Sequence, residues 1–278
     1  MKFYLVFCFF IVSWFHAQFR IESPDFSMKT STYKVENYDT SLYNVYYQFA
    51  FVPDAARKEV KKEAVCVLQI GKQYSKFNDV KQLRVDSLSE KYSRQKEINA
   101  REMEAMMNIN VAFQPVILKD LSKKKLIYQG RIKGIYQYQE DQPEFKWKLE
   151  KETKVVLGYS CKKATVKFGG REYVAWFTSG ISSNNGPYKF EGLPGLILEL
   201  SDAKNEFHFV AVGIDKKSLP IYLRNEDRIL KVTKEKYKEV EKTYHDNPGF
   251  FHGKAYNTDG TPMVVKSKPL PYNPIELE

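Results

Sequence analysis

The chain has 278 residues, of which 43% are hydrophobic and 15% are aromatic, a composition typical of a globular protein with enough apolar side chains for a core. The formal net charge is +10. Because Lys and Arg alternate with Asp and Glu, this charge indicates a solvated surface, and attraction of an acidic ligand or an anionic envelope surface is the alternative. With the export signal described next, the composition argues against a nucleic-acid-binding protein.

The first residues predict export. Lys2 is followed by an apolar run over residues 3–15, and Ala17 supplies a small residue at a suitable cleavage point. A run of about 13 apolar residues is short for a membrane span. We therefore expect residues 1–17 to be a signal peptide and residues 18–278 to be one β-rich domain. The mature protein would lie in the periplasm, at the outer membrane or outside the cell.

Strand signals come first in the mature chain and are then interrupted. Apolar and polar residues alternate over residues 41–52, and shorter strand signals follow at 65–70 and 74–77. Over residues 80–108 the apolar side chains instead follow the spacing of a helical face, without Pro or Gly. We expect one long helix there, inserted into the sheet.

The second half of the chain is dominated by strand signals. A Gly-Gly pair between residues 164–168 and 171–178 suits a type I′ or II′ hairpin turn. Thr233 is a suitable N-cap for a final helix over residues 233–245, and the Pro-rich tail after it is expected to be extended. The other strand candidates are residues 126–128, 132–138, 145–149, 155–161, 196–201 and 207–214.

Together these elements predict a mainly β protein. Successive hairpins of this length favour an antiparallel meander that forms a curved sheet, a sandwich or a half-barrel. The long inserted helix, at about 80–108, and the C-terminal helix, at about 233–245, complete the predicted fold.

Two cysteines remain after removal of the predicted signal peptide. Cys66 and Cys161 both lie in apolar strand segments. One disulfide is possible in an oxidising compartment, and two buried free thiols are the alternative. The sequence leaves both open.

The hexapeptide GLPGLI is the most distinctive segment of the chain. Its proline presets the φ angle of the second turn position, and its second glycine accepts the positive φ that a type II turn requires at the third position. The hexapeptide contains no acid, base or metal ligand. We interpret it as a structural turn that sets strand register, with a loop that holds a ligand or partner as the alternative. The motif consists of Gly192, Leu193, Pro194, Gly195, Leu196 and Ile197.

This motif and its surroundings resemble the GLPGLI family of exported proteins from Gram-negative bacterial envelopes. Matching segments also occur at residues 170–173, 175–178 and 273–277, and Tyr188 stands where many members have Trp. The resemblance extends from about residue 43 to the C-terminus. It implies export, a β-rich fold and a role to which no reaction is assigned.

No catalytic set is visible in the sequence. The G-x-S-x-G, H-E-x-x-H and Walker patterns are absent. His245 and His252 are weak metal candidates, because they lack the paired spacing of strong metal sites. Aromatic residues such as Tyr138, Trp147 and Trp176 fit either the core or a ligand groove.

The sequence therefore favours an exported envelope protein that binds a ligand or a partner on a β-sheet scaffold, without catalytic residues or a cofactor. The partner is not identified; an envelope ligand or an outer-membrane protein fits the expected location. Two alternatives remain. One is an assembly or interaction factor for an outer-membrane complex, and the other is an unrecognised hydrolase or metal-dependent enzyme.

Overall fold

The structure is a computed structural model that describes residues 20–23, 25–251, 253, 255–256, 261–263 and 267–278. The predicted signal peptide lies outside the described residues. The strands are β1 (Ser27–Lys29), β2 (Val35–Thr40), β3 (Tyr43–Phe51), β4 (Lys62–Ile70), β5 (Tyr74–Asp79), β6 (Glu97–Asn99), β7 (Val116–Asp120), β8 (Lys125–Ile132), β9 (Gly134–Asp141), β10 (Lys148–Val156), β11 (Tyr159–Phe168), β12 (Arg171–Thr178), β13 (Leu196–Asp202), β14 (Phe207–Asp215), β15 (Pro220–Arg224), β16 (Leu230–Lys231), β17 (Ala255–Tyr256) and β18 (Pro262–Met263). The helices are α1 (Val80–Ser93), α2 (Ala100–Met107), α3 (Lys234–Asp246) and a 3₁₀ helix (Pro248–Phe251).

Twelve of these strands form one large sheet, in the order β10-β11-β12-β13-β14-β3-β4-β5-β7-β8-β9-β16. Neighbouring strands are antiparallel, except that the short β16 runs parallel to β9. Strand β10 lies at one end of the sheet and is paired on one side only, with β11. The sheet does not close into a barrel. The predicted mainly β, antiparallel fold is confirmed.

The inner face of this sheet carries the main core. Phe49 of β3 stacks on Phe209 of β14, with ring centroids 3.9 Å apart. The sheet is curved, because the distant strands β8 and β12 both contact the segment of residues 186–191 on this face. The ring of Phe190 lies 4.7 Å from that of Tyr173 on β12, and the Lys189 Nζ atom lies 5.4 Å from the ring of Tyr128 on β8.

The outer face is covered in part by a two-stranded ribbon of β2 and β15. A second, smaller core forms beneath this ribbon from Leu118, Ile221 and Leu223. Helix α1 packs against β4 and β5. A cavity of about 1080 Å³ lies beside these outer elements.

The predicted long helix over residues 80–108 is two helices, and the single-helix prediction is wrong. Helix α1 ends at Ser93, and β6 pairs with β1 before α2 begins. The side chain of Asn99 accepts a hydrogen bond from the Glu102 backbone, and the Glu102 side chain accepts one from the Asn99 backbone. This capping box starts a new helix. In the described part of the chain, no helix combines the length and apolar content needed to cross a membrane.

Most other predicted elements are present, but the strands predicted over residues 132–138, 145–149 and 155–161 differ in the structure. Lys133, with a positive φ, separates β8 from β9, and β10 begins only at Lys148. The Gly-Gly pair makes the predicted hairpin turn between β11 and β12, with Phe168 paired to Arg171. The C-terminal helix begins after its Thr233 cap as predicted. Residues 155–161, predicted as one strand, hold the end of β10, a two-residue turn and the start of β11, because Leu157 and Gly158 both have positive φ angles that reverse the chain.

Candidate functional site

The GLPGLI motif makes a tight turn against the backbone of β12. Gly195 has φ +148°, and a Cβ atom at this position would lie 2.1 Å from the carbonyl oxygen of Thr178. The Gly195 N–H donates to the carbonyl oxygen of Leu193 at 2.7 Å, which makes a three-residue turn centred on Pro194. The positive φ at Gly195 agrees with prediction, whereas the type II geometry is wrong because the chain turns within three residues.

A buried lysine holds the segment that precedes the motif. Lys119 Nζ donates to Asn185 Oδ1 at 2.9 Å and to the carbonyl oxygens of Gly186 and Phe190 at 3.2 and 3.0 Å. Burial lowers the pKa of Lys119 to about 8. The three acceptors compensate for part of the cost of burying the amine.

A second buried lysine binds the segment to the C-terminal tail. Lys189 Nζ lies 2.5 Å from Glu140 Oε1 and 2.5 Å from Glu276 Oε1, and Lys234 bridges the same two carboxylates at 2.6 and 3.0 Å. Burial alone would raise the pKa of Glu276. The charge and hydrogen bond of Lys189, together with Tyr188 and Lys234, instead lower it to about 2. These contacts favour the structural interpretation of the motif.

The two cysteines are buried free thiols in the structure. Cys66 lies on β4 and Cys161 on β11, and the strands β12, β13, β14 and β3 separate them in the sheet. No disulfide joins them in the described part of the chain. Burial raises the pKa of both thiols, so neither is prepared to act as a thiolate nucleophile.

The predicted metal candidates do not form a site among the described residues. His245 lies near the end of α3, with its ring 4.7 Å from that of Tyr272, and His252 lies outside the described residues. Across the described ranges, no three His, Cys, Asp or Glu side chains are grouped so as to hold a metal.

The aromatic candidates pack in or against the core. Tyr138 is buried and stacks on Tyr128, with centroids 4.8 Å apart. Trp147 Nε1 donates to the carbonyl oxygen of Glu191 at 2.8 Å. Trp176 is partly buried and lies beneath the Lys154 amine.

A large cavity lies outside the main core, among α1, α2, β1, β6 and the end of β15. Its volume is about 1080 Å³. The apolar part of its wall includes Met28, Val85, Ile98, Met103, Met106 and Ile109. The apolar side chains of α1 and α2 were predicted to share one helical face, and α2 has no buried residue. We call this space the Met–Arg cavity, because three arginines form another part of its wall.

The three arginines are Arg131, Arg224 and Arg228. Among the described residues that line the cavity, none is Asp or Glu. Arg131 extends from β8 and Arg228 follows β15; both side chains are exposed. Neither has a hydrogen bond or an ion pair to another described residue. The Met–Arg cavity therefore joins an apolar wall to a region of positive charge.

Arg224 differs from the other two arginines because it is buried and paired. Its Nε atom donates to Glu226 Oε1 at 2.8 Å, and its Nη1 atom lies 3.6 Å from Asp86 Oδ1. Asp86 also accepts hydrogen bonds from Gln82 Nε2 at 2.8 Å and from the Tyr222 hydroxyl at 3.1 Å. Burial raises the pKa of Asp86 despite the nearby arginine.

A small space of about 30 Å³ lies beside this paired group. Lys76 of β5 lines it, and its Nζ atom lies 3.8 Å above the ring of Tyr222. Burial lowers the pKa of Lys76 to about 8. The contacts of Glu226 and Asp86 hold Arg224 in place beside the Met–Arg cavity.

Sequence reasoning identified none of the cavity arginines. They come from different parts of the chain and share no motif, so only the fold brings them together. The methionine-rich stretch around α2 is the one sequence feature that indicates a binding surface here, because methionine is common on adaptable binding surfaces.

The comparisons with known proteins say little about activity. Residues 170–199 match a family described as "Protein of unknown function (Porph_ging)", a stretch that includes β12 and the whole GLPGLI motif. No curated protein matches the chain. Membership of the GLPGLI family itself stays a prediction.

Solved structures that match the chain include PNGF-II in two space groups. They have TM-scores of 0.47 and 0.48 and sequence identities of 14% and 15%. The matches cover 73% of this chain but only 33% and 32% of those chains. The chain thus spans about a third of the length of the structures it matches, and a likeness this distant carries no functional argument.

Proposed function

We propose that this protein is an exported, non-enzymatic binding protein that holds a largely apolar small molecule in the Met–Arg cavity. The observation that carries the proposal is the cavity itself, with a volume of about 1080 Å³. Ligand pockets typically measure roughly 300–1,000 Å³ and have mainly apolar walls. The Met–Arg cavity, at about 1080 Å³, slightly exceeds that range.

Helix α2 supports the proposal. Met103, Met106 and Met107 lie on this helix, yet none of them is buried, and Met107 is 55% exposed. Met28 on β1, across the cavity, is 41% exposed. Uncovered apolar surface of this kind marks a binding site in soluble proteins, and a bound apolar molecule would cover it.

The chemistry of the cavity lining fits binding better than catalysis. The described lining combines methionine and aliphatic side chains with hydroxyl, amide and guanidinium groups. Arginine stays protonated in proteins and cannot act as a general base. These groups suit the orientation of a ligand, and the described lining has no His, Asp, Glu, Lys or Cys, the side chains that most often transfer protons near neutral pH.

A ligand should accompany the protein when it is purified from its own cells. We expect native mass spectrometry to show extra mass that disappears on denaturation. Met106→Trp should weaken the affinity by about tenfold or more, a loss of about 1.4 kcal/mol, and so lower the bound fraction, because the indole fills part of the cavity. Ala105→Trp is the matched control, because Ala105 is exposed on the same helix and does not line the cavity.

Equal bound fractions in the two variants would contradict a ligand in this cavity. A bare wild-type protein would contradict stable binding. Recovery of a protein partner in place of a small molecule would favour the assembly-factor alternative.

Export predicts a specific N-terminus for the mature protein. The apolar run after Lys2 and the small residue Ala17 support cleavage after residue 17. We expect the protein from the envelope fraction to begin at Gln18, as measured by intact mass and N-terminal sequencing. A full-length chain recovered from the cytoplasm would contradict export.

A further inference from the structure

We infer that the ligand of the Met–Arg cavity is an apolar chain with one acidic group, a carboxylate or a phosphate, and that Arg131 and Arg228 bind this group. The inference rests on the proposed function and names its ligand class. Its basis is the separation of apolar and cationic side chains around one continuous space.

Charge is unbalanced in this cavity. Three arginines line it, whereas the described lining includes no carboxylate. Arg224 is compensated, because Glu226 and Asp86 contact its guanidinium. Arg131 and Arg228 have no such contact among the described residues, so their guanidinium groups are left unpaired at the cavity wall.

The Arg131 side chain is exposed to solvent within the open cavity, but the surrounding protein still makes its positive charge less favourable than in bulk water. Its pKa is lowered first by desolvation and then by the positive charge of Arg224, with a further contribution from Arg228. The acidic groups that act on it, Asp86 and Glu226, are already engaged by Arg224. An anion bound between Arg131 and Arg228 would relieve this repulsion, and the planar guanidinium fork matches both carboxylate and phosphate.

The apolar wall indicates the rest of the ligand. Met103 and Met106 on α2 and Ile98 on β6 line the same cavity as the arginines. Methionine adapts to irregular apolar shapes, which suits a flexible chain better than a rigid ring system. A molecule with its acidic end at the arginines and its chain among the methionines covers both surfaces.

Three probes with one chain length test the inference. Palmitate, hexadecyl phosphate and hexadecanol differ only in the head group, and their affinities for the mature protein can be measured by calorimetry after delipidation on a hydrophobic resin. We expect at least one acidic probe to bind about tenfold or more tightly than the alcohol. The tighter acid then identifies carboxylate or phosphate as the preferred group.

Variants locate the head group. A double variant with Arg131→Gln and Arg228→Gln should bind the acidic probe less than about threefold more tightly than hexadecanol. Its affinity for hexadecanol should be unchanged, because only the contacts to the charged head group are lost. Arg57→Gln is the matched control, since Arg57 is exposed and does not line the cavity. Circular dichroism checks that each variant is folded.

The outcomes separate the inference from the proposed function. Equal binding of all three probes by the wild-type protein would overturn the inference and support an apolar ligand. An acid preference that survives in the double variant would overturn the assignment to these arginines. Binding of no probe, with no native ligand in the protein from its own cells, would overturn both proposals.

Discussion

Lys189→Met should destabilise the protein by about 3–5 kcal/mol, the range measured when one partner of a buried ion pair is removed. The Lys189 side chain is fully buried, and Glu276 and Glu140 contact its amine. Without that amine, two carboxylates remain in the interior with Lys234 as their shared cation. Urea unfolding followed by circular dichroism measures the change.

Lys236→Met is the control for this substitution. Lys236 pairs with Glu239 on α3, and both side chains are mainly exposed, so its loss should cost less than about 0.5 kcal/mol. Similar unfolding free energies for the two variants would show that the Lys189 cluster contributes no more than a surface pair.

Gly195→Ala should destabilise the protein by about 2 kcal/mol or more, because two effects combine at this residue. The backbone has φ +148°, which L-residues rarely adopt. In addition, the new Cβ would lie 2.1 Å from the Thr178 carbonyl oxygen. Either β12 or the motif turn would have to move.

Gly158→Ala separates these two effects. Gly158 also has a positive φ, +79°, but a Cβ there would have no atom within 4 Å. The Gly158→Ala substitution should therefore lower the free energy of unfolding by only about 1 kcal/mol, from the backbone conformation alone. If thermal or urea unfolding gave equal losses for the two variants, close approach to Thr178 would not be the reason for glycine in the motif.

Local chemistry explains which parts of the fold the sequence predicts. The Gly-Gly pair and the Thr233 cap act within a few residues, and both lie where they were predicted. The Asn99–Glu102 capping box is equally local, and it would have divided the predicted long helix. The apolar spacing on the two sides of the capping box nevertheless fits one continuous helical face, so the spacing alone predicts a single helix.

Long-range contacts explain the rest. Lysine is almost always exposed, so the burial of Lys119 and Lys189 follows from acceptors supplied by distant segments. The Met–Arg cavity has the same origin, because Arg131 and Arg228 lie in separate elements. Neither periodicity nor a motif marks such residues in advance.

Strand β10 is an edge of the large sheet where another protein molecule could add a strand in concentrated solution. An edge strand offers unpaired backbone groups to other chains and invites aggregation. Along β10, the charged residues Lys148, Glu150 and Glu152 make ion pairs on the surface, and the pairing with β11 shifts register between Leu149 and Thr153. Charge and irregular pairing both discourage the addition of a foreign strand, so this edge resists the growth of the sheet into intermolecular assemblies.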